Sequence, residues 1–222
     1  MREFVAGFRT GAVICLAGAA VFAWTLGACA PKPSASDRRV DPAELDELAR
    51  AQAERRAELE RARNEAIALA QRAQQEAGKG RVGPAIELYG QALARWSRMP
   101  GAHNNLGKLL VQAGRYQDAA DAFFIASELS PSDPRPLANL GKLKMDIGWP
   151  SEAYGHYEKA LERDPNDLES LRGVIAAADL LRRADEQALD YARRALLLET
   201  DATWRSYLER QRYRIEQDID EP

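Results

Sequence analysis

Seven positions recur at a single spacing of 34 residues, and that period limits the fold more than any other feature of the chain. Leu106-Gly107 is followed by Leu140-Gly141, Gly114 by Gly148, Ala119 by Ala153, Phe123 by Tyr157, Ala126 by Ala160 and Pro131 by Pro165. Periods of about 20–50 residues belong to stacked units, each too small to bury its own apolar face. One period earlier stand Gly80, Ala85, Tyr89 and Ala92, with Arg72 and Ala73 in place of the Leu-Gly pair. One period later Leu171 and Val174 fit. Ala188, Ala192 and Ala195 then keep the internal spacing only after one inserted residue near Arg182-Arg183.

This pattern resembles the tetratricopeptide repeat, two antiparallel helices per 34 residues. The physical roles agree with the resemblance. Small residues at Gly107, Ala119 and Ala126 allow helices to approach closely. Gly114 and Gly148 end the first helix of each pair, and Pro131 and Pro165 end the second. The expected fold is therefore all-α, a helical-hairpin solenoid of three to four repeats. The units are 66–99, 100–133, 134–167 and a degenerate 168–200. Asp201 to Gln217 is polar and amphipathic, with Trp204, Tyr207 and Leu208. Residues 201–222 read as a capping helix and tail, because the last unit of a solenoid has no neighbour to cover it.

Ahead of the repeats, Asp41-Pro42-Ala43-Glu44 is a helix start. Asp41 can cap, Pro42 suits the first helical position, and Glu44 sits three residues after the cap. No Gly or Pro interrupts the chain from there to Ala77, a run of about 55 Å as helix. Residues 41–65 read as a solvated stalk, with a short coiled coil as the alternative. Leu59 is the only large apolar residue between Arg50 and Arg63, a thin seam for heptads. Residues 29–40 hold two prolines and small polar residues and read as a flexible tether.

The first 28 residues read as a signal segment. Arg2 and Arg9 are followed by an uncharged run from Thr10 to Ala30 that closes in Leu26-Gly27-Ala28-Cys29. These residues resemble a bacterial lipoprotein signal: an aliphatic residue, two small residues and a cysteine. The resemblance implies lipid transfer to the Cys29 thiol, cleavage before it, and palmitate-type N-acylation. The alternatives are a plain signal peptide and an uncleaved membrane helix, since the run is long enough to span. Cys15 would leave with the peptide, so the mature chain could form no internal disulfide. Removing Arg2, Arg9 and Glu3 takes away one net positive charge and moves the formal charge from −3 to −4. Ala30 is not the aspartate that commonly retains lipoproteins in the inner membrane. The expected location is thus the cell envelope, at the periplasmic face of the outer membrane in a Gram-negative host.

Charge and composition exclude several classes. A net charge of −3 gives no basic field for nucleic acid. Two cysteines and two histidines leave little for a metal site, and no cofactor is expected. His103 and His156 have no Cys or i,i+4 His partner, and there is no phosphate loop or nucleophile elbow. The chain reads as a non-enzyme whose partners are proteins or peptides. The tetratricopeptide resemblance implies a concave groove lined by first helices. In the second unit it points to Asn104, Asn105, Lys108, Val111 and Gln112. In the third it points to Ala138, Asn139, Lys142, Met145 and Asp146. Asn105 with Asn139, and Lys108 with Lys142, recur at one period. Stacked amides could bond an extended peptide backbone, and the lysines would give a locally positive field for carboxylates. A carboxylate clamp is not implied, because Ala70 and Gln74 stand where its Lys and Asn would be. The combination of signal and repeats resembles envelope lipoproteins that assist pilus assembly or organise peptidoglycan enzymes. It leaves two readings, a tethered adaptor and a structural assembly subunit.

Overall fold

The computed structural model describes residues 41–220. The signal segment, Cys29, the tether and the last two residues of the tail lie outside them. The chain divides into two units at the boundary between Glu47 and Leu48. The described part of the first unit, 41–47, forms the opening of helix α1. Among the described residues there are nine helices and no strand: α1 Pro42–Gly78, α2 Val82–Arg95, α3 Pro100–Gln112, α4 Tyr116–Leu129, α5 Arg135–Asp146, α6 Pro150–Arg163, α7 Leu168–Leu180, α8 Glu186–Leu198 and α9 Ala202–Asp220. The all-α expectation, with a long first helix, stacked hairpins and a final cap, is what the structure has. No helix among the described residues is long and apolar enough to cross a membrane.

Asp41 starts α1 as a cap, its Oδ1 accepting from the Ala43 amide at 2.9 Å. Up to Glu65 the helix has no buried residue. Beyond it Ala66 and Ala73 are fully covered. Ala73 shares a core with Ala85, Tyr89, Ala102 and Leu109, so the last turns of α1 pair with α2 as a first hairpin. The pairs α3–α4, α5–α6 and α7–α8 follow.

Each hairpin turns on one left-handed residue. Gly80, Gly114 and Gly148 have φ of 74°, 74° and 80°. The next residue then donates five back, as in Arg115 N to Leu110 O (2.8 Å) and Trp149 N to Lys144 O (2.8 Å). At the fourth such place stands Arg182, with φ of 53°. Arg183 N still donates to Ala178 O at 2.8 Å, so the motif forms without its glycine. Replacing Arg182 by glycine removes the Cβ penalty of that backbone region. Arg182→Gly is expected to stabilise the protein by about 1 kcal/mol, read as a higher urea midpoint at unchanged m. No change or a loss would contradict this account.

The inserted residue is visible in the core register. Ala85, Ala119 and Ala153 follow one another at the period, and Ala188 comes one residue late; all four are buried. The slack is taken up before α8, where Asp185 caps the helix by accepting from the Ala188 amide at 2.8 Å. The cap helix α9 buries Leu208 and Ile215 against the core of α6, α7 and α8.

Side-chain sizes alternate across each hairpin. A Cβ on Gly107 would stand 2.6 Å from the Phe123 ring, and one on Gly141 would stand 2.8 Å from Tyr157. In the fourth hairpin the sizes exchange: Ile175 occupies the glycine column and Ala192 the aromatic one, and both are buried. Tyr157 instead finds extra room at Gly173, where a Cβ would lie 2.3 Å from its ring.

Candidate cleft on the first helices

Helices α3, α5 and α7 each begin a hairpin, so residues one period apart face the same way. Lys108, Val111 and Gln112 of α3, Asn139, Lys142, Leu143 and Asp146 of α5, Phe123 of α4 and Glu169 of α7 line one cleft of about 280 Å³. Phe123 and Leu143 are buried and form its floor. Lys108, Gln112, Lys142, Asp146 and Glu169 are exposed on its walls. Neither lysine has a carboxylate within ion-pair distance among the described residues.

Six of the ten groove positions expected from the sequence, Lys108, Val111, Gln112, Asn139, Lys142 and Asp146, line this cleft. The asparagines do something other than wait for a peptide. Asn139 is buried and donates through Nδ2 to Asn104 Oδ1 at 2.7 Å, which ties α5 to α3. Asn105 donates to the Tyr89 hydroxyl at 3.2 Å, which ties α3 to α2. The period places Asn105 and Asn139 alike in sequence, yet their amides bond different helices. Met145 is outside the cleft and packs against the core of α6 to α8.

The locally positive field expected from two lysines is corrected by the structure. Asp146 and Glu169 stand in the same cleft, so its formal charges balance. Both carboxylates also act on the Tyr157 phenol, whose ionisation is pushed up first by burial and then by Glu169 and Asp146. They therefore gather on the α5–α7 side, while Lys108 stands on α3 across the cleft. A sequence signal for Glu169 existed. Gly101, Arg135 and Glu169 form one column of the period, and the charge reverses along it.

The histidines are packing residues. His103 is buried, with Nε2 3.0 Å from the Ser97 carbonyl, and burial lowers its proton affinity. His156 is half-buried, and burial followed by Lys159 and Lys144 does the same. Among the described residues no group of three or more His, Cys, Asp or Glu is placed to hold a metal ion.

The comparisons with known proteins agree with this architecture. Residues 134–167, the α5–α6 hairpin, match the family model of the tetratricopeptide repeat. The solenoid is of the tetratricopeptide type. The small glutamine-rich tetratricopeptide repeat-containing protein 2 of Mycosarcoma maydis is 29% identical over 99 residues, 45% of this chain and 28% of its own length. The type IV pilus assembly protein PilF of Pseudomonas aeruginosa is 33% identical over 104 residues, 46% of this chain and 40% of its own length. The match spans less than half the length of both curated relatives. The solved structure of Pseudomonas aeruginosa PilF superposes with a TM-score of 0.62 at 24% identity, over 79% of this chain and 82% of that one.

Proposed function

We propose that this chain is a lipid-anchored adaptor of the bacterial cell envelope that holds a segment of a partner protein in the cleft between α3, α5 and α7. The observation that carries the reading is the exposed, unpaired Lys108 and Lys142 over an apolar floor of Phe123 and Leu143. Charged side chains free of internal partners, above covered apolar surface, are what a docking groove presents before it is filled. The anchor is the Cys29 thiol, supported by Leu26-Gly27-Ala28-Cys29 at the end of an uncharged run. The site is the periplasmic face of the outer membrane. A second reading, a structural subunit of pilus assembly that uses its stalk and outer faces, is favoured by the likeness to PilF.

Two experiments test the proposal. Cys29→Ser removes the lipid acceptor, so labelling with a palmitate analogue should vanish and the chain should leave the membrane fraction. Equal labelling in the mutant rules out the anchor. Lys108→Glu with Lys142→Glu should weaken capture of the partner from envelope extracts by about threefold to tenfold, less at high salt, since exposed ion pairs are modest and screened. An unchanged partner set with intact circular dichroism would decide for the structural subunit.

A further inference from the structure

The cleft carries two charges of each sign. Lys108 is on α3 and Lys142 on α5; Asp146 is one turn further along α5, and Glu169 opens α7. None of the four pairs with another inside the cleft: Lys108, Lys142, Asp146 and Glu169 all lack an ion-pair partner among the described residues, although Lys142 and Asp146 are four apart on one helix. The carboxylates are exposed at the wall, so their charge is available to a ligand.

Resting on the groove reading above, we infer that the cleft selects a dipolar protein segment, with an acidic side chain set against Lys108 and Lys142 and a basic one against Asp146 and Glu169. The spacing follows from α5. Lys142 and Asp146 are separated by roughly 6 Å along the helix axis. Residues i and i+2 of an extended chain point to one face and lie roughly 6.6 Å apart. The favoured segment therefore carries an acid two positions from a base, the residue between them turned away from the charged walls. A segment of one sign meets like charges as well as opposite ones in the cleft. This is specificity by a repulsive element as well as an attractive one.

The test is selection of short random peptides by phage display against the full chain in detergent micelles. Enriched peptides are then measured by fluorescence anisotropy. The expected peptides carry an acid two positions from a base. Their affinity should fall about threefold to tenfold for Lys108→Glu with Lys142→Glu, and equally for Asp146→Lys with Glu169→Lys, with both losses shrinking at high salt. Circular dichroism controls for folding. Enriched peptides of a single sign, or ones indifferent to the Asp146 and Glu169 reversals, overturn the dipolar inference and leave the groove reading standing. No enrichment, or peptides indifferent to both reversals, overturns both.

Discussion

Arg172→Ala is expected to lower the unfolding free energy by about 3 kcal/mol, because it strands a buried carboxylate. Glu199 follows α8 and its side chain is fully covered. Arg172 of α7 reaches it with two hydrogen bonds of 2.6 Å, and the Asp201 amide adds a third at 2.8 Å. Arg172 also lies over the Trp204 ring of the cap helix at 5.0 Å. One guanidinium thus fastens α7 to the α8–α9 joint. The double change Arg172→Ala with Glu199→Ala should be milder than Arg172→Ala alone, since no charge is then left buried. Urea unfolding followed by Trp fluorescence measures both. A single-mutant effect within about 0.5 kcal/mol of zero would refute the clamp.

The same pair sets part of the pH response. Arg172 hydrogen bonds hold the Glu199 carboxyl below the usual carboxylate range. Its stabilisation is complete above the ordinary value of about 4.3 and is lost as pH falls through the lower folded value. In Arg172→Ala the buried carboxylate gains by protonation, so the mutant's deficit should shrink in acid. Both histidines act in the same direction at higher pH. Each is held below the ordinary value of about 6.5, so the unfolded chain binds more protons and stability declines as pH drops below it.

Gly107→Leu is the second large effect, at about 3 kcal/mol. Even a methyl there would stand 2.6 Å from the Phe123 ring, which is itself buried. Ala119→Leu, also fully buried, should cost about 1–3 kcal/mol. The sharper test of the Gly107 contact is coupling. In a Phe123→Ala background the ring is gone, so Gly107→Leu should cost clearly less than in the native chain. Additive losses would mean that the glycine and the ring are not in contact.

The 34-residue period determined the hairpins, their order and the residues that turn them. Gly, small and aromatic columns dictate close helix approach by local sterics alone. Local capping chemistry did the same for Asp41, and the late Ala188 reported the inserted residue before α8. The lysines that line the cleft were legible too, because equal spacing in a solenoid means an equal face. The tertiary structure alone decided what those columns meet. It turned Asn105 toward Tyr89 and Asn139 toward Asn104, since an amide bonds whichever partner the neighbouring helix offers. It joined Arg172 to Glu199 across 27 positions, a pairing that no period encodes. It also brought Glu169 into the cleft, and with Asp146, already expected on the groove face, this cancelled the field that two lysines would have made. Charge is a property of everything within a Debye length, and only the packed helices say what lies that close.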